Sequence, residues 1–245
     1  MRACCLVAAM ASLAFAPRAS SQRLPSADSI LAAHDAAVGG RAALDKHTTL
    51  RLTGTVDIPD SDLHGTVEIL RGKPNWYVHR MSLTGVADVT TGYDGTTAWE
   101  ISQSGPALLT DSDADDVKRL ADWYFEFAVP QAIHGARVDT ADFEGTPAWR
   151  LTYAATLGVE ISSYFDRATG LRIGQTSSGA GDETTVVLGD YKTFGGVKVA
   201  TRVVTRARGT ERVITYTTVE FDKVDASAFA LPPAVKALKG FVSPH

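Results

Sequence analysis

The sequence predicts a mainly β protein with some helix: a strongly curved antiparallel sheet, an incomplete β-barrel, with helices covering its concave side. Three observations carry this. From Thr48 to Asp222 the chain reads almost throughout as short strands; Leu50 to Val56 and Trp149 to Tyr153 alternate apolar with polar residues, the period of a half-buried strand. Turn-forming residues separate them, among them Asp94-Gly95, Glu144-Gly145, Ala168-Thr169-Gly170 and Gly195-Gly196. Second, Asp111 to Val129 breaks the run with a helical period. Third, several strands are apolar on both faces: Trp76 and Val78 oppose Tyr77 and Met81, and Ile161 and Phe165 oppose Tyr164. Helices must then cover one face, while the other lines a cavity or a second layer. A sheet of this length has to curl or close to manage its edges.

The elements follow in order. Residues 1–21 form an expected secretory signal: Arg2 gives a positive start, Leu6 to Ala16 a short apolar core, and Ala19-Ser20-Ser21 a small-residue cleavage site before Gln22. Residues 22–245 form one domain, placed in a periplasm or outside the cell. Both cysteines, Cys4 and Cys5, lie in the signal, so the mature chain relies on its own core rather than on disulfides. A first helix runs from Ser26, its N-cap, to Val38, and Gly39-Gly40 stops it; a short piece, Arg41 to Lys46, leads to the sheet. Six strands are expected over 48–58, 63–71, 75–83, 86–93, 97–103 and 106–110. The inserted helix, Ser112 to Val129, is capped by Asp111 or Ser112. Seven more strands cover 136–143, 148–155, 159–166, 171–177, 184–194, 197–206 and 211–224, and a weak helix stands near Val235 to Leu238. Tight turns imply that consecutive strands pair as a meander.

With these residues placed, the chain resembles the periplasmic carriers of the outer-membrane lipoprotein-sorting family and its wider superfamily. The similar features are Ala37-Val38-Gly39-Gly40, Tyr93 to Trp99, Tyr164 to Leu171 and Asp190 to Val197, in the order helix, strands, helical insertion, strands. The resemblance implies an incomplete β-barrel lidded by helices, with a hydrophobic groove that accepts acyl chains. It transfers no lid arginine by motif; Arg119 lies in the inserted helix without a signature of that role.

Composition and motifs narrow the function classes. Without residues 1–21 the net charge is about −6, which disfavours nucleic acid and anionic lipid surfaces as partners. After the signal, no apolar run approaches the ~20 residues of a membrane span. His34, His47, His64, His79 and His134 are scattered without metal-ligand spacing. Asp111-Ser112-Asp113-Ala114-Asp115 opens like a calcium loop, but Asp116 replaces its glycine and Asp122 its final glutamate, so a capped helix start accounts for it better. No nucleophile elbow, phosphate loop or dinucleotide fingerprint is present. We therefore expect no enzyme, no cofactor and no metal, but a carrier or sensor of an acyl chain, lipid or lipoprotein, with an envelope protein as a further partner. The expected ligand contacts are large apolar residues of strands and lid: Trp76, Val78, Trp99, Ile101, Trp123, Phe127, Trp149, Leu151 and Tyr153. A structural or adaptor protein of the envelope, its sheet filled by its own side chains, is the alternative.

Overall fold

Thirteen antiparallel strands form a single sheet in the computed structural model, which describes residues 23–124, 133, 135–154, 159–179 and 182–239. The expected signal, residues 1–21, and Phe127 lie outside them. Two helices open the chain, α1 (Ala27–Ala37) and α2 (Arg41–Asp45). Ser26 caps α1 as expected, its Oγ accepting from Ser29 N at 3.2 Å. Gly39 and Gly40, both at positive φ, turn the chain away after it.

The first six strands are β1 (Thr49–Ile58), β2 (Leu63–Gly72), β3 (Trp76–Leu83), β4 (Ala87–Tyr93), β5 (Ala98–Ser102) and β6 (Gly105–Leu108). The insertion supplies α3 (Asp111–Leu120). The remaining strands are β7 (Arg137–Phe143), β8 (Thr146–Ala154), β9 (Glu160–Asp166), β10 (Arg172–Gly179), β11 (Asp182–Phe194), β12 (Val197–Ala207) and β13 (Thr210–Phe221). A 3-10 turn, Ala226–Phe229, and α4 (Pro233–Lys239) end the described chain.

Each half is the expected meander. The halves join where β1 pairs with β13, giving the order β6-β5-β4-β3-β2-β1-β13-β12-β11-β10-β9-β8-β7. The two free edges, β6 and β7, therefore flank the insertion.

Register sorts the side chains. Leu50, Leu52 and Val56 of β1 share a face with Val67 and Ile69 of β2, Tyr77 of β3, Tyr93 of β4, and Ile214, Tyr216 and Val219 of β13. Against this concave face α3 packs Ala114 and Val117, followed by Ala121 and Trp123, in the main core. Helix α1 covers the same face further along, where Ile30 and Leu31 meet Leu151 and Phe165. The sheet stays open rather than closing into a barrel, so the helices take the place of the missing wall.

Two expectations about α3 need correction. Its N-cap is Thr110, which makes no side-chain capping bond, and the helix ends at Leu120 with Ala121 as C-cap. The aromatic run Trp123-Tyr124 extended the helical pattern in the sequence, yet it follows the helix in a turn and packs independently. The expected helix beyond Tyr124 lies outside the described residues.

Candidate functional site

The candidate site is the concave face under the helices, and its organising residue is Arg71. In β2 it follows Val67 and Ile69 at every second position, so alternation turns it inward, where it is 1 % exposed. Its Nη1 donates to the carbonyl oxygens of Leu120 and, at 3.3 Å, Asp122. Those carbonyls belong to the C-terminal end of α3, where backbone acceptors lack helical partners and the dipole is negative. A buried guanidinium thus holds the end of the inserted helix to the sheet, and it also lies 5.1 Å from the Tyr77 ring centroid.

The residues after α3 continue this clasp. Tyr124 donates its hydroxyl to Asp45 Oδ1 of α2 at 2.5 Å, with the Arg41 guanidinium 4.0 Å over its ring. That bond to the carboxylate raises the tyrosine pKa. Lys73, just past β2, donates to the Asp45 carbonyl at 3.0 Å and sits 5.3 Å from the Trp123 ring. Sheet, α2 and insertion therefore meet at one point.

Below the helices the face is apolar with embedded cations. His79 of β3, partly buried, has its pKa lowered to about 4: burial disfavours the charged form, and Arg212 and Arg71 add repulsion. At the α1 end, His34 is 2 % exposed, edge-on to Phe165 at 5.4 Å, with Nδ1 3.3 Å from Gly170 O and Arg172 N. Ser163 of β9 is fully buried beneath this helix on the same face as Leu151.

The free space is small. Between Val38 and the sheet, a cavity lined by Leu52, Leu188, Val203 and Tyr216 measures about 20 Å³, room for water alone. A larger cleft of about 500 Å³ lies beside α1, between Ile30 and Ala33 on one side and Trp149, Phe165 and the turn at Arg167 on the other. Arg167 caps it, 4.5 Å over the Trp149 ring.

The nine sequence-selected residues divide among these surfaces. Trp149, Leu151 and Tyr153 come together on the concave face beneath α1. Trp123 is 1 % exposed in the main core. Trp76, Val78, Trp99 and Ile101 also come together, but on the opposite face, where Phe229, Leu231 and Val235 of the C-terminal segment cover them. Gly92 makes room for Trp99 there: a Cβ at Gly92 would stand 2.4 Å from its ring. Sequence reasoning passed over Arg71, although an arginine at an apolar position of an alternating strand was the available signal.

Among the described residues no cluster of three or more His, Cys, Asp or Glu side chains is arranged to hold a metal, and no helix is long and apolar enough to cross a membrane.

This architecture defines a class: an open antiparallel sheet with its concave face closed by an N-terminal helix and a helical insertion. No family model and no curated protein sequence matches the chain. Solved structures do. A LolA superfamily protein from Nitrosomonas europaea superposes with a TM-score of 0.57 at 12 % identity, covering 85 % of this chain and 99 % of that one. A putative outer membrane lipoprotein-sorting protein domain from Vibrio parahaemolyticus gives 0.54 at 9 % identity, covering 83 % and 97 %. A DUF1329 family protein from Desulfovibrio piger gives 0.54 at 13 %, covering 82 % and 97 %. The chain has the lipoprotein-sorting type of fold over most of its length; at these identities the likeness establishes the fold.

Proposed function

We propose that the protein is an exported, non-enzymatic carrier or sensor of an apolar ligand (an acyl chain, a lipid or a lipoprotein) held between the concave face and its helices. The observation that carries this reading is the Arg71 clasp. A carrier needs a cover that excludes water when closed yet opens without unfolding the sheet, and here a few polar bonds fix the end of α3 and the residues after it. The fold shared with a lipoprotein-sorting domain supports the same reading. Trp149, Leu151, Tyr153 and Trp123 are the proposed ligand contacts among the nine, because they lie on or under the covered face. An acyl chain gains about 0.8 kcal/mol per buried methylene, so part of one chain suffices for useful affinity.

The rival is a structural or adaptor protein. One observation favours it: the cavity under Val38 is water-sized, so the described side chains already fill that part of the sheet. Binding in that part must therefore displace the cover. This makes Arg71→Met informative, since it keeps an apolar stem while removing charged hydrogen bonds of about 1.5–3 kcal/mol each. Freeing about 1.5 kcal/mol of closing energy should tighten an apolar dye roughly ten-fold by raising the open population. Mass spectrometry of organic extracts from the native protein should show co-purified lipid. Protein that carries no lipid, with neither form binding the dye, would establish the rival.

A further inference from the structure

The charges of the sheet are sorted by face. On the outer face cations meet carboxylates: Arg51 Nε donates to Glu68 at 2.8 Å, Arg80 Nη1 to the same carboxylate at 2.5 Å, and Arg206 Nε to Glu211 at 2.8 Å. Register places Asp57, Glu183 and Glu220 on that face as well, opposite Val213, Ser178 and Arg51.

The concave face is different. Arg212 stands two residues before Ile214 and four before Tyr216 in β13, so alternation turns it inward with them. Its Nε is buried and meets no acceptor among the described residues. The field of Arg212 reaches His79, which lies three strands away in β3, and Arg71 acts on the same ring. Glu100 of β5 is an inward carboxylate, two strands beyond His79 through the pairs His79–Thr91 and Thr91–Glu100. It does not offset them: burial and the two arginines govern the imidazole. Around this point the inward residues Met81, Leu83 and Val203 are apolar and only partly buried.

Arg212 is only partly buried as a whole, but a guanidinium Nε buried without an acceptor is costly, and the cost falls when an anion supplies one. From this arrangement we infer that the ligand is an amphiphile with an anionic head, carboxylate or phosphate, which docks against Arg212 and His79 while its chain lies along Met81, Leu83 and Val203. The inference rests on the carrier reading and adds the head-group chemistry. The head is held by Arg212 as hydrogen-bond donor, with His79 as the polar neighbour that completes its surroundings, and a neutral head leaves Arg212 as it stands. Selectivity therefore resides in the head and affinity in the chain.

The experiment compares heads on one chain length. The full-length protein is titrated with palmitate, with 1-palmitoyl lysophosphatidic acid, and with the neutral hexadecanol and monopalmitoyl glycerol, each read by displacement of an uncharged fluorescent probe. Anionic heads should bind about ten-fold more tightly than neutral ones, and the better of palmitate and lysophosphatidic acid identifies the head as carboxylate or phosphate. Arg212→Met should abolish the preference while hexadecanol binds as before, and Arg212→Lys should restore part of it. Equal affinity for anionic and neutral heads overturns the inference and leaves the carrier reading standing. An anionic preference that survives Arg212→Met overturns the assignment to Arg212. Binding of none of the four overturns both readings. If Arg212→Met fails to fold, the head comparison on the unmodified protein still tests the inference, and Arg212→Lys tests the assignment to Arg212.

Discussion

Replacing His79 with glutamine should flatten the acid side of the stability curve. Burial first, then Arg212 and Arg71, lower the pKa of this imidazole to about 4 from its ordinary 6.5. Above pH 6.5 both folded and unfolded chains carry a neutral ring, and the residue contributes nothing to pH dependence. As the pH falls below 6.5, the unfolded chain accepts a proton that the folded protein refuses, so stability drops until the folded value near 4 is reached. The linkage relation gives a loss of about 2 kcal/mol at pH 5 and about 3 kcal/mol at pH 4. Glutamine keeps a polar amide at the site without titrating. Urea unfolding of both proteins at about pH 7.5, 6, 5 and 4 isolates this term, because the other titrating groups are common to both and cancel in the difference. The wild-type curve should fall more steeply than the variant's by about 2 kcal/mol between pH 7.5 and 5. Parallel curves would mean that His79 titrates as in open solvent, and the picture of two arginines converging on a buried ring would be refuted.

Two further outcomes test the frame around the site. Asp222, at positive φ just past β13, accepts from Thr48 N at 2.7 Å and faces His47 Nδ1 at 2.7 Å. Burial opposes its ionisation, but His47 and the Thr48 and Thr49 donors prevail and hold it at about 2; its contribution is present above pH 4 and lost as the pH falls through 2. Asp222→Asn should cost about 1 kcal/mol at neutral pH, a figure reduced for the carboxylate's partial exposure, and the loss should read as a lower urea midpoint. Phe229 is 2 % exposed and packs on Trp76 with ring centroids 5.5 Å apart. Phe229→Ala should cost about 3–5 kcal/mol of stability in thermal or urea unfolding while leaving apolar-probe affinity unchanged, since it anchors the outer face only.

The sheet was legible in the sequence because its signals are local. Period-two alternation gave thirteen strands, and the turns at Gly95, Gly145, Gly170 and Gly195 have the positive φ that glycine permits. The pairing of β1 with β13 has no local signal: residues some 170 positions apart meet, and only the closing of both meanders brings them together. The site was less legible, for one physical reason. Alternation tells which residues share a face but not which face turns inward. Trp76, Val78, Trp99 and Ile101 share one, and choosing them by size put them beside Trp149 and Leu151, which face the other way. What decides the matter is Phe229 to Val235, a distant segment whose docking partner no short-range pattern reveals. Arg71 was passed over for a different reason: no motif marks it, and only its place two residues past Ile69 and four past Val67 in an alternating strand shows that it turns inward.

The placement of the edges explains why the cover and the clasp belong together. An open sheet must protect its unpaired edge strands. Because the first and last strands pair in the middle, both edges fall at β6 and β7, on either side of the insertion. The described part of that insertion, α3 with Ala121 and Trp123, packs on the concave face and so forms part of its cover. Such a cover gains little from the sheet's hydrogen bonding, since it belongs to neither meander. It is fixed by side chains: Ala114, Val117 and Trp123 in apolar contact, and Arg71, Lys73 and Asp45 in polar contact. Apolar contact on a concave surface can be replaced by a ligand of similar character at small cost, whereas the polar contacts have geometry and break as a unit. On the proposed carrier reading, the division suits a cover that a ligand displaces: the apolar part would make exchange cheap, and the Arg71 and Asp45 bonds would set the threshold for opening.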